Sequence, residues 1–179
     1  PILQSKEEIN YYRKKYETGL IALKKNVYNT EKPAEQIRTD FFHLAYHGKD
    51  NLKILVNTFN FFKKVIPNIN YVSKSIKKIK NHKKIKVGFI SEFLTRHTIG
   101  KLFGGLIKNI DRKKFDVTIF YTSKTKKDSL KDRIDNSADK SIKISNIIKE
   151  QHKQIEKENL DILFYPEIGM SPTIYFLAL

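Results

Sequence analysis

The 179-residue chain has no cysteine. That excludes disulfides and thiolate metal sites, and it fits a reducing compartment. No apolar run approaches the length of a membrane span. The opening PILQSKEE lacks the charged-then-apolar pattern of a signal peptide. A cytoplasmic location and no membrane partner are therefore expected. Arginine is scarce, confined to Arg13, Arg38, Arg96, Arg112 and Arg133, so the formal charge of +16 is almost all lysine. Those lysines are scattered along the chain, and abundant Lys, Ile, Asn, Phe and Tyr fit an AT-rich coding sequence. Arginine is the residue that reads base edges bidentately. Its scarcity argues against nucleic acid as the main partner, although a basic nucleic-acid-binding α/β module stays open as an alternative.

The stretch that organises the rest is IKVGFISEFLTRH, residues 85–97. Ile85, Val87, Phe89 and Ile90 form an apolar run that stops at Ser91, and a polar turn leads to His97. Ile99, Leu102, Phe103, Leu106 and Ile107 then recur at helical spacing. A strand, a loop and a helix follow from that pattern. In open α/β sheets the ligand crevice lies at the carboxyl ends of the strands, and His97 falls at such an end.

Before this stretch the pattern is helical. Ser5 and Glu8 stand at capping-box spacing ahead of a helix over residues 5–25, with Ile9, Tyr12, Tyr16, Leu20 and Leu23 as its apolar stripe. Residues 26–35 are expected to form a loop. IRTDFFHLAYHG, residues 37–48, places His43 and His47 four apart, on one face if the segment is α-helical. A metal pair and a packing or ligand-contact role are the two readings, and no third ligand is close in sequence. Asp50 is expected to cap a helix with Leu52, Leu55, Val56, Phe59 and Phe62 inward. Residues 72–84 form a connector bearing Lys74, Lys77, Lys78, Lys80, Lys83 and Lys84, solvated or in contact with phosphates.

After residue 85 strands alternate with helices. Strands are expected at 115–121, 141–144 and 161–165, and helices at 128–134, 146–159 and from 172 onward. The helix over 146–159 is given the apolar face Ile147, Ile148 and Ile155. Alternation implies crossovers and one parallel sheet, with Ser91 and Pro166 at the same edge. The chain stops inside an apolar helix without a cap, which suggests a fragment of a longer protein.

KVGFISEFLTRHTIGKL resembles the start of the catalytic region of the O-linked N-acetylglucosamine transferase and SPINDLY family. The elements are a strand, then Ser91, Glu92, Phe93 and, shortly after, His97. The bacterial branch is the nearer match, because the animal enzymes carry Asp in place of Glu and a closer Phe–His spacing. DILFYPEIGMSPTIYFLAL resembles the last strand and loop of the family's first catalytic lobe. FFHLAYHG resembles a segment ahead of the first strand, and PILQSKEEINYYR the helix that joins tetratricopeptide repeats to the catalytic region.

The resemblance implies an α/β fold: a parallel Rossmann-like sheet, the first lobe of a GT-B glycosyltransferase, preceded by a helical segment. Residues 1–84 would be that segment with a basic linker, and residues 85–179 the truncated lobe. It implies transfer of GlcNAc or another hexose from a UDP-sugar to protein Ser or Thr. No cofactor is needed, since the UDP-sugar is a substrate, bound through a second lobe; the other partner is the protein acceptor. His97 takes the place of the family's catalytic histidine, as a base or as a positioning group. An alternative at His97 is a helix-terminal residue that caps or packs. Thr98, Gly100, Glu167, Gly169, Met170 and His47 are the candidate substrate-binding residues. Gly100, with Gly104 and Gly105, alternatively serves close helix packing, and Glu167 is alternatively solvated. His43 or His47 is expected to approach the crevice. No metal is expected, because no acidic pair has DxD spacing. A lobe that binds a partner without catalysis is the remaining alternative.

Overall fold

Ile85–Ile90 (β1) and Phe115–Tyr121 (β2) are the two strands at the centre of the sheet. Both are apolar almost without interruption, as strands covered on both faces must be. Lys140–Lys143 (β3) and Ile162–Phe164 (β4) flank them, in the order β3-β2-β1-β4. All three pairings are parallel, with Phe89 opposite Ile119 on one side and Phe164 on the other. Ser91 and Pro166 therefore emerge at the same, carboxyl edge. The computed structural model describes residues 3–26, 28–37, 41–77 and 83–179. Arg38, Lys78 and Lys80 lie outside the described residues.

The helices are Lys6–Leu23 (α1), Pro33–Gln36 (α2), Leu52–Val65 (α3), Thr98–Asn109 (α4), Ser129–Asn136 (α5), Ile148–Lys157 (α6) and Pro172–Leu177 (α7). Val87, Phe89, Val117 and Ile119 pack on one face of the sheet against Ile107 of α4 and Ile134 of α5. Ile90 and Phe120 face the other way, onto Ile174 and Leu177 of α7. A third cluster joins Leu20 of α1 and Phe61, Phe62 and Val65 of α3 to Ile148, Tyr175 and Phe176. Phe62 and Phe176 meet edge to face at 5.1 Å. Full burial of each such ring is worth about 1.5–3 kcal/mol. The helical segment thus shares apolar core with α6 and α7, across residue 84.

Several local expectations are corrected. Ser5 does cap α1, its hydroxyl accepting the Glu8 N–H at 3.1 Å. Glu8 Oε2, however, reaches back to the N–H of Gln4 rather than Ser5. Only Leu20 of the α1 stripe is buried, and Tyr16 bonds Thr58 of α3 through its hydroxyl at 2.7 Å. Pro33 starts α2 inside the expected loop, because proline is tolerated in a helix's first turn. Asp50 Oδ1 accepts the Leu52 N–H, but the N-cap position of α3 falls at Asn51. The buried face of α3 is Ile54, Thr58, Phe61, Phe62 and Val65, while Leu52 and Val56 are exposed. Apolar residues nearly all round the helix left its stripe ambiguous in rotation. Residues Phe41–His47 form a 3₁₀ helix. At three residues per turn, positions four apart point about 120° apart, so His43 and His47 do not share a face. The buried face of α6 is Ile148, Gln151 and His152, not three isoleucines. The connector is held rather than solvated at its start: Glu156 of α6 accepts from Tyr71, Ser73 and the Lys74 N–H.

Candidate active site at the carboxyl edge of the sheet

The loops after β1 and β4 are laced together by four polar side chains. Ser91 is fully buried, and its backbone N–H continues the sheet by donating to Phe120 O. Its hydroxyl accepts the Phe93 N–H at 2.9 Å and donates to Glu167 Oε1 at 3.4 Å. Ser171 donates to Glu92 Oε2 at 2.7 Å, closing the second rung. Glu167 is only 5% exposed, and its Oε2 is buried without a hydrogen-bond partner. Burial pushes its pKa up to about 7, and the Glu92 charge adds to the rise; the N–H groups of Glu92 and Ser171 and the Ser91 hydroxyl pull the other way. The solvated alternative for Glu167 is therefore wrong: the carboxyl is sealed between two loops.

His97 occupies the N-cap of α4 and is half-buried. Its Nδ1 accepts the Ile99 N–H at 3.2 Å, and its ring stacks on Phe93 at 4.6 Å. A nitrogen that accepts a backbone N–H carries no proton, so the neutral ring holds its proton on Nε2. The other nitrogen of the neutral ring is then a donor. Capping and packing, one of the two readings of the sequence, are what this side chain does, on the loop that leaves the carboxyl end of β1. Phe93 connects the ring to Ser91 and so to Glu167.

Thr98 opens α4 and is exposed. Gly100 is buried for a steric reason: a Cβ there would lie 2.0 Å from Thr95 O. Close packing thus holds for Gly100, but against the loop rather than the sheet. Gly104 approaches the Ile134 side chain, and Gly105 faces open space. In the exit loop after β4, Glu167, Gly169 and Ser171 are buried, while Ile168 and Met170 between them are exposed. Gly169 has φ +93° and packs beside the Phe42 backbone. The 3₁₀ helix therefore rests on the exit loop. His47, at its far end, is influenced by Arg13 and Lys49; burial first, then those two charges, lowers its pKa. Its Nδ1 is buried without a partner. The geometry brings His97, Glu167, Gly169 and Met170 to one edge and links His47 to it only through the 3₁₀ helix.

Ser91, Glu92 and Ser171 complete the arrangement, yet Ser171 and the rungs themselves were not legible. The available signal was a serine ending an apolar strand, a position where a buried hydroxyl must find a partner. Among the described residues no group of three His, Asp or Glu side chains could hold a metal ion. No described helix is long and apolar enough to cross a membrane.

No family model matches the chain, and no curated protein matches it. Among solved structures it is similar to an O-GlcNAc transferase mutant from Thermobaculum terrenum, with a TM-score of 0.54 and 16% identity over 68% of this chain. The match spans 24% of that structure's chain. At such identity the likeness concerns fold. The chain has the α/β architecture of a Rossmann-like glycosyltransferase lobe, with an all-parallel four-stranded sheet.

Proposed function

We propose that this chain is the acceptor-side lobe of a protein O-glycosyltransferase, which moves GlcNAc or another hexose from a UDP-sugar to a Ser or Thr hydroxyl. The observation that carries the reading is the paired-loop arrangement of His97 and Glu167 at the carboxyl edge of a sheet with a glycosyltransferase lobe's fold. In the transfer, the acceptor oxygen forms a bond to the anomeric carbon, the bond to UDP breaks, and the hydroxyl proton passes to the departing phosphate. A second lobe would hold the UDP-sugar, and the protein acceptor would approach over the exposed Thr98 and Met170, with Gly100 and Gly169 buried beneath them. His97 acts by donating from Nε2–H and orienting a substrate oxygen, since its other nitrogen is committed to the Ile99 N–H. His47 supports the exit loop through the 3₁₀ helix.

Turnover tests this. The 179-residue chain alone is expected to transfer no sugar from UDP-GlcNAc or UDP-glucose to protein. In an enzyme carrying this lobe, His97→Asn keeps an N-cap and removes the ring. A positioning role predicts a raised KM with kcat changed less than about tenfold. A kcat fall of about 10²–10⁴ would make His97 a general base instead. Transfer by the chain alone, above the buffer rate, would refute the single-lobe reading.

A further inference from the structure

Further along the same edge, β2 and β3 end on a different group of side chains. A cavity of about 330 Å³ lies there. Tyr121, Thr122, Thr125 and Ser141 are among the residues that line it. Lys127 and Lys143, both exposed, and Lys131 complete the polar lining, and no carboxylate is part of it. The nearby acids of α5 are largely occupied. Asp135 accepts from Ser141 with one oxygen and pairs with Lys131 through the other. Asp128 accepts the N–H groups of Arg96, Leu130 and Lys131. Asp132 is exposed on the same helix.

What remains is a surplus of donors. Lys127 and Lys143 form no ion pair among the described residues. The Thr122 and Thr125 hydroxyls lie 3.3 Å apart, so one donates to the other and one O–H is left to give. The Tyr121 side chain is 3% exposed, and its hydroxyl meets no acceptor. Asp135, which also takes Lys131 and Ser141, lies close enough to help raise the phenol's pKa, behind burial. Lys131 lies 4.0 Å over the Tyr121 ring and covers it. Scattered lysines alone would mean little in so basic a chain. Here they meet a pair of threonine hydroxyls and no lining carboxylate, at the edge where ligands bind in this fold.

We propose that this cavity binds an oxyanion, the carboxylate or phosphate group of a ligand, between Lys127, Lys143 and the Thr122–Thr125 pair. Lys131 stays paired with Asp135 over the Tyr121 ring, and the anion meets Lys127 and Lys143. Charge-assisted hydrogen bonds from ammonium groups are the strong kind for such a ligand. The Arg96 N–H donates to Asp128 at 2.7 Å, which ties this region to the loop carrying His97. A ligand anchored here would extend toward that loop. The proposal concerns binding and does not depend on the transfer chemistry.

The test is NMR titration of the 179-residue chain in phosphate-free buffer, with inorganic phosphate, a short Asp/Glu peptide and an uncharged peptide. Saturable shifts at the amides of Thr122, Thr125 and Lys143 are expected with phosphate or the acidic peptide, and none with the uncharged one. Phosphate binding without the peptide assigns a phosphate ligand; tighter peptide binding assigns a carboxylate one. The Lys127→Gln/Lys143→Gln variant should bind about tenfold more weakly. Lys24→Gln/Lys25→Gln, at the end of α1, should bind as the parent does. These are exposed side chains, so the fold is kept. Unsaturable shifts spread over the lysine surface, or equal binding by both variants, would overturn the proposal.

Discussion

The ionisation of Glu167 bears directly on the free energy of the fold. Its carboxyl is buried, with one oxygen on Ser91 and the other unpartnered. Its pKa stands at about 7 against an ordinary 4.5. A raised carboxyl pKa means that the fold holds the proton more tightly than the unfolded chain does. The stabilisation is complete below pH 4.5 and is lost as pH rises through 7. The shift corresponds to about 3 kcal/mol. Glu167→Gln keeps the shape and removes the charge. The variant should match the parent near pH 4 and exceed its stability at pH 8 by about 1–3 kcal/mol. Urea unfolding at those two pH values measures this, and an unchanged pH dependence in the variant would count against a buried, titrating Glu167. None of this was legible from the residue alone. A single carboxylate in an exit loop is ordinarily solvated, and its burial depends on Ser91 and Glu92, which lie far away in sequence.

At the scale of the element, α4 shows how a helix start is built around a loop. His97 caps it, and Gly100 lets Thr95 approach the first turn. The three glycines of α4 look alike in sequence but differ in space. Gly100→Ala forces a Cβ to within 2.0 Å of backbone that belongs to the loop under His97. It should destabilise by about 1–3 kcal/mol, in spite of alanine's better helix propensity. Gly105→Ala meets nothing and should stabilise by up to about 1 kcal/mol. Thermal melts of the two variants check the pair; shifts in the same direction would refute the distinction. The strands of the sheet were legible because β1 and β2 are long apolar runs, whereas the turn of α3 about its axis was not. LKILVNTFNFF offers apolar residues to several faces, and the choice fell to Tyr16, Thr58 and the rings of the third cluster. The 3₁₀ winding of FFHLAYH was hidden for a similar reason: nothing in its residue types distinguishes it from a turn of α-helix.

At the scale of the molecule, parallel topology and the shared edge of Ser91 and Pro166 were legible from alternation, because crossovers leave few ways to connect such elements. The joining of the helical segment to α6 and α7 was not. Phe62 and Tyr175 are distant in sequence, and their meeting is a property of packing rather than of any local pattern. If the third cluster is continuous core, the chain unfolds as one unit in spite of the lysine-rich connector. The chain has no tryptophan, so tyrosine fluorescence and far-ultraviolet circular dichroism are the probes. Their urea transitions should coincide. Phe62→Ala, 3% exposed and far in sequence from every strand, should lower the common midpoint by the equivalent of about 3–5 kcal/mol. Ile119→Val, in the other cluster, should lower the same midpoint by about 0.5–1.5 kcal/mol. Coincident transitions moved by both variants mean that residues before and after 84 stand or fall together. Two separable transitions, with Phe62→Ala moving one and Ile119→Val the other, would divide the chain at the connector into independently folding parts.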